Sequence, residues 1–228
     1  MVAVPYIDIH THSAKKDAGV VTVRNFFPGE KIPEFTGRNF YSVGLHPWFL
    51  NGVANNNVQL NLVEEALELD HVVAIGECGL DKTRPEFDEQ KRVFEAQAFM
   101  AEEFRKPLII HCVKAWNEIM ELHDKMHPEC NWILHGYNGG VEITRALEKR
   151  GLFFSFGEAL LKNRPKATES FKLLPLEKIF IETDEFEGDI REIYRKGAQI
   201  KNIAADDLKK SVWQNFNRIE NIMVNSFE

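Results

Sequence analysis

Val72-Val73-Ala74-Ile75-Gly76-Glu77-Cys78-Gly79-Leu80-Asp81 opens on four apolar residues, three of them β-branched, and then passes abruptly to a carboxylate. A short apolar run of this kind, bounded by glycine, reads as a buried strand near 71–76 with Glu77 where the chain leaves the sheet. The same grammar recurs along the chain. Pro107-Leu108-Ile109-Ile110 is followed by His111, Asn131-Trp132-Ile133-Leu134 by His135, and Lys178-Ile179-Phe180-Ile181 by Glu182-Thr183-Asp184. The first apolar run leads into Asp8-Ile9-His10-Thr11-His12. Residues two apart in a strand share a side, so His10 and His12 can present imidazole nitrogens to one metal ion.

The first of these runs lies near 4–10, and further strands near 20–26, 40–45 and 152–156 bring the number to eight. Amphipathic helical patterns lie near 58–69, 86–105, 115–126, 140–150, 164–173, 188–200 and 206–225, the last expected in two pieces. Strands alternating with helices imply βαβ units and a parallel sheet, and eight of them favour closure into a (β/α)8 TIM-type barrel of the α/β class. An open doubly wound sheet is the alternative, but no G-x-G-x-x-G follows the first strand, where a dinucleotide fold places its phosphate turn. The segment 13–40 is too short for two full βα units and carries Pro28, Gly29, Pro33 and Gly37, so the barrel is expected to be irregular there. No linker or internal repeat interrupts the chain, and residues 1–228 read as a single domain. In such a barrel the C-terminal strand ends converge on one mouth, which makes a set of His, Glu and Asp at five of them a metal-centre candidate.

Composition narrows the function. No apolar run is long enough to span a bilayer, and Met1–Tyr6 lacks the basic start of a signal peptide, so a soluble, cytoplasmic protein is expected. Cys78, Cys112 and Cys130 are odd in number and scattered, which argues against a disulfide framework. The formal charge of -7 opposes general attraction of a polyanion, so any phosphate must be held by cations or metal ions close to the site.

These stretches resemble the TatD-like metal-dependent hydrolases, within the amidohydrolase-type barrels. The matching pieces, in family order, are Asp8–His12, Gly44-Leu45-His46-Pro47, Ala74–Asp81, Gln90 with Phe94 and Gln97, Pro107–His111, Leu134-His135-Gly136, Ile181–Asp184 and Asn215-Phe216-Asn217-Arg218. The resemblance implies two divalent metal ions: His10, His12 and Asp184 on one, His111 and His135 on the other, with Glu77 bridging. It implies deoxyribonuclease or other phosphodiesterase activity, with Asp184 and Glu77 as the catalytic carboxylates and His46 as a phosphate contact. Imidazole-rich ligation suits Zn2+, while the carboxylates and a phosphate substrate admit Mg2+ or Mn2+. A metal ion brings the pKa of water down towards neutrality, and Asp184 is the carboxylate expected to accept or orient the proton. Asp81 and Glu182 read as supporting residues or helix caps.

Two departures from the family pattern bear on substrate. Val113 stands where His-x-Arg places a cation, leaving its neighbour Lys114, and an acidic run, Glu185-Phe186-Glu187-Gly188-Asp189, replaces a basic loop after Asp184. Both argue for a phosphoester substrate smaller than a long nucleic acid, such as DNA ends or short oligonucleotides. Lys82 and Lys114 are the candidate substrate-holding cations; Lys15, Lys16, Arg84, Lys162, Arg164 and Lys166 also fall in loops after strands. Trp48, Phe49 and Trp116 could stack a base. No membrane or obligate protein partner is indicated. Two other functions use the same residues: an amidohydrolase-type enzyme on a small non-nucleic-acid substrate, and a metal-binding barrel without catalysis.

Overall fold

The structure is a computed structural model that describes residues 4–14 and 17–219. Eight strands run β1 (Tyr6–Thr11), β2 (Val20–Phe26), β3 (Asn39–Val43), β4 (Val72–Asp81), β5 (Leu108–Val113), β6 (Trp132–Leu134), β7 (Phe153–Phe156) and β8 (Ile179–Ile181). They follow one another in chain order in a single sheet with parallel pairing. The helices are α1 (Val53–Leu67), α2 (Phe87–Phe104), α3 (Trp116–Met126), α4 (Val141–Lys149), α5 (Glu158–Leu161), α6 (Pro165–Leu173), α7 (Ile190–Lys201) and α8 (Ala205–Ile219). The fold is the expected (β/α)8 TIM-type barrel. Among the described residues no helix lies between β1 and β2 or between β2 and β3, as the short, proline- and glycine-bearing 13–40 segment implied.

Two compact units make up the chain. The first comprises the described residues within Met1–Arg24, Thr36–Asn39 and His135–Glu228. In it the end of β8 returns to β1: Asp184 N donates to His10 O at 2.9 Å and His12 N to Asp184 O at 3.2 Å. From α7, the buried Tyr194 hydroxyl donates to Ile7 O at 2.9 Å and accepts from Ile7 N at 3.2 Å, pinning the start of β1. Phe154, Phe156, Phe171 and Phe180 fill the core between the strands and the helices that follow them.

The second unit comprises Asn25–Phe35 and Phe40–Leu134. Its core is Leu60, Val63 and Leu67 of α1, Val93, Phe94, Ala98 and Ala101 of α2, and the fully buried Leu108–Ile110 of β5. Here the strand near 71–76 proves longer: β4 continues through Glu77 to Asp81, so Glu77 lies inside the strand and not at its end. Glycine is the reason. At Gly76 and Gly79 the backbone takes φ +146° and +141°, and a Cβ would meet Ile109 O at 2.5 Å or His111 O at 2.1 Å. The pairing of β4 with β5 slips register between Ile75 and Cys78, a bulge that carries the strand past Glu77. The helix expected near 58–69 begins earlier, after Gly52 at φ +75°, and the helix expected near 206–225 runs unbroken from Ala205 to Ile219, with 220–225 outside the described residues. No helix among the described residues is long and apolar enough to cross a membrane.

Candidate metal centre

Each unit gathers its own group of imidazole and carboxylate side chains. In the first, β1 delivers His10, wholly buried, and the residue just past its end delivers His12, 29% exposed. Their rings lie 5.1 Å apart, as the two-residue spacing required. Asp184 follows β8 in the left-handed region, φ +53°, which turns its carboxylate back toward them. Its Oδ1 stands 3.7 Å from His10 Nε2 and 3.6 Å from His12 Nε2. His135, at the end of β6, brings its ring to 4.6 Å from that of His10. One ligand atom each from His10, His135 and Asp184 lie within 4.8 Å of one another.

Behind this group stands a supporting layer. Glu182 Oε1 accepts from Gly136 N at 2.6 Å and lies 3.7 Å from His135 Nδ1. Burial would raise the Glu182 carboxyl, but His135, His10 and Ser155 outweigh it and hold it below the ordinary range, so it stands as a carboxylate beside the histidine. Asp8 faces Thr183, taking hydrogen bonds from its N (2.9 Å) and Oγ1 (2.6 Å). For Asp8 burial wins, and its carboxyl is pushed up to about 7.

In the second unit, Glu77 of β4 reaches both neighbours: its Oε1 is 3.0 Å from His46 Nε2 and 2.8 Å from His111 Nδ1. The rings of His46 and His111 are 4.5 Å apart, and the three residues form a second group whose ligand atoms fall within 4.8 Å. His111 Nε2 in turn lies 3.6 Å from Asp81 Oδ2. Burial works to raise Asp81, but hydrogen bonds from Thr83 and Trp48 and the nearby His111 prevail and keep it below the usual carboxylate range.

The donor chemistry suits divalent ions. Imidazole nitrogen and carboxylate oxygen are the protein ligands of zinc and related ions, and each group as spaced here would suit one such ion. His111 is grouped with Glu77 and His46, and His135 with His10 and Asp184. His46, expected as a phosphate contact, thus sits among metal-ligand types.

Three residues outside these groups support them; Gln90 and Gln97 belong to the pieces that carry the family resemblance, and Asn25 is unmarked in the sequence. Asn25 Oδ1 accepts from Glu77 N at 2.5 Å and from Ser42 Oγ at 3.1 Å, fixing the strand at its bulge. From α2, Gln97 brackets Leu45, accepting from its N (2.7 Å) and donating to its O (3.1 Å), while Gln90 does the same for Asp81 at 2.8 and 3.1 Å. These two buried amides, seven residues apart on one helix face, lock the segments that carry His46 and Asp81. The cations fare differently. Lys82 is engaged by Glu118 at 2.6 Å and Lys162 by Glu158 at 2.5 Å. Lys114 is exposed, with φ +57°, and Lys15 and Lys16 lie outside the described residues.

Known proteins share this architecture. The chain is 26% identical over 224 residues, 89% of its own length and 83% of the relative's, to an uncharacterized metal-dependent hydrolase of Haemophilus influenzae. It is 30% identical over 200 residues, 78% of its length and 76% of the relative's, to the 3'-5' ssDNA/RNA exonuclease TatD of Salmonella typhimurium. A crystal structure of a TatD homologue from Escherichia coli K12 superimposes with a TM-score of 0.80 at 21% identity, covering 95% of this chain and 98% of the other, which shows the fold. The model of the family described as TatD related DNase matches residues 29–221, and the chain belongs to that family.

Proposed function

We propose that the protein is a divalent-metal-dependent hydrolase of phosphodiester bonds, acting on the ends of single-stranded DNA or on short oligonucleotides. The observation that carries this reading is the pair of imidazole–carboxylate groups, each compact enough for one ion, on a chain whose relatives include a metal-dependent hydrolase and a single-strand exonuclease. His10, His12, His135 and Asp184 would hold one ion, and Glu77 and His111 the other; His46, whose Nδ1 already accepts from Trp48 N at 3.1 Å, stands beside them with Nε2 as a donor. Divalent ions held there would supply Lewis acidity to phosphoryl oxygens and would make a water more acidic. Asp184, its side chain 38% exposed beside His10 and His12, would orient a water and take its proton. The complete burial of His10 supports a ligand role over that of a proton carrier to solvent.

The surroundings favour a strand end over a long duplex. Beside Asp184 a cavity of about 450 Å3 is lined by Glu158, Glu182, Glu185 and Glu187, and this acidic wall repels an extended polyanion.

Chelation supplies the test. After exhaustive treatment with chelator and dialysis, turnover on a single-stranded oligonucleotide should fall at least about 100-fold, and Mg2+, Mn2+ or Zn2+ should restore it. Metal-free protein, verified by elemental analysis, that retains more than about a tenth of its activity would refute the proposal.

A further inference from the structure

Trp48 and Phe49 are 49% and 53% exposed, side by side on the single 3-10 turn Pro47–Phe49 that follows His46. Isolated exposed aromatics are ordinary, so exposure alone decides nothing. What sets these two apart is how firmly they are held. Trp48 Nε1–H donates to Asp81 Oδ2 at 2.7 Å. Asp81 is itself buried, its Oδ1 takes Thr83 N and Oγ1 at 2.8 and 2.6 Å, and Gln90 brackets its backbone. The turn is capped by His46 Nδ1, which accepts from Trp48 N at 3.1 Å. Phe49 rests edge-on against Phe27, ring centres 4.8 Å apart. Aromatic faces locked this way lose little conformational freedom on meeting a ligand.

A cation completes the surface. The Arg84 guanidinium lies over the Trp48 ring, 4.2 Å from its centre. Arg84 is exposed, and among the described residues no carboxylate forms an ion pair with it, whereas Lys82 two positions earlier is engaged by Glu118. A stacked guanidinium keeps its N–H donors available for phosphate. The surface adjoins the second metal-ligand group directly: the Trp48 ring is 5.2 Å from that of His46 and 5.8 Å from that of His111, and the Phe49 ring is 5.7 Å from that of His46.

We propose that Phe49 and the Arg84-capped Trp48 form a stacking platform for bases of a single-stranded nucleic acid, with Arg84 gripping a backbone phosphate. The proposal deepens the phosphodiester reading of the adjoining site and rests on it for the identity of the ligand. A single strand is the occupant because the platform needs a free base face, which a duplex hides within its stack. With a chain charge of -7 there is little general attraction for nucleic acid, so local stacking and one well-placed arginine must supply the grip.

The test is binding, read separately from turnover. The metal-loaded protein is titrated by fluorescence anisotropy with a hydrolysis-resistant phosphorothioate single-stranded oligodeoxynucleotide, and with the same strand made abasic at its terminal residues. Wild type should bind the base-bearing strand about tenfold more tightly. Phe49→Ala and Trp48→Ala should each erase most of that preference and leave the abasic strand within about twofold, while Phe49→Tyr retains it. Arg84→Ala should weaken both strands about fivefold and reduce the salt slope by about one. Equal affinity of wild type for the two strands, or alanine variants that bind like wild type, would overturn the platform. Should the protein cleave phosphodiesters while ignoring bases, the platform falls and the hydrolase stands; binding as described without cleavage gives the reverse.

Discussion

Asp184→Asn is expected to lower turnover on a phosphodiester by roughly 10^3-fold while the protein stays folded and keeps most of its metal. The backbone at this position is what ties the end of β8 to β1, through Asp184 N to His10 O and His12 N to Asp184 O, and the substitution leaves both bonds in place. Its φ of +53° lies in the left-handed region, where asparagine is among the best-tolerated residues. The amide oxygen would still face His10 and His12 and would remain able to hold an ion there. What is lost is the capacity to take a proton and the negative charge that favours a cation beside it. Circular dichroism and elemental analysis should therefore match wild type while kcat collapses. A kcat within tenfold of wild type in protein with normal metal content would remove Asp184 from the proton-transfer role and leave it a ligand only.

The strand ends were legible in the sequence because their signal is local. An apolar, β-branched run stopping at a histidine or carboxylate states both the element and its polar tip: His135 and Asp184 follow their strands, while His10 and His111 lie inside β1 and β5 close to their C-terminal ends. Glu77 was found by the same rule, but its position inside β4 was not, since continuation through Gly76 and Gly79 depends on how closely β5 approaches, a tertiary fact. The long-range clamps were also beyond a local reading. Asn25 is 52 residues from Glu77, and Gln97 is 52 from Leu45, so nothing near either residue advertises its partner. Cation placement failed for a similar reason: Lys82 looks available in a loop, yet α3 brings Glu118 to it, while Arg84 is drawn onto Trp48. Periodicity reports faces of elements; it does not report which side chains compete for a charge.

The second large effect is expected far from any ionisable group. Gly79→Ala should destabilise the protein by at least about 3 kcal/mol, a large part of the roughly 5–15 kcal/mol that holds a domain folded. Two penalties act at once. At φ +141° the backbone occupies a region essentially restricted to glycine. The added Cβ would also lie 2.1 Å from His111 O and 3.0 Å from His111 N and C, all backbone atoms that no rotamer change can move aside. Relief requires β5 to draw away from β4, and that motion carries His111 Nδ1 from Glu77 Oε1, now 2.8 Å away. Stability and metal retention should fall together, measured by the urea midpoint and by metal content of whatever protein stays soluble. Gly140→Ala is the matched control, because a Cβ there meets nothing within 4 Å and φ is an ordinary -78°, so its effect should stay within about 1 kcal/mol. A Gly79→Ala protein as stable as that control would mean that β4 and β5 lie farther apart than described, and with them Glu77 and His111. Because the close approach that excludes a methyl group at Gly79 also sets the ligand spacing, the strand pair and the metal group stand or fall on one measurement.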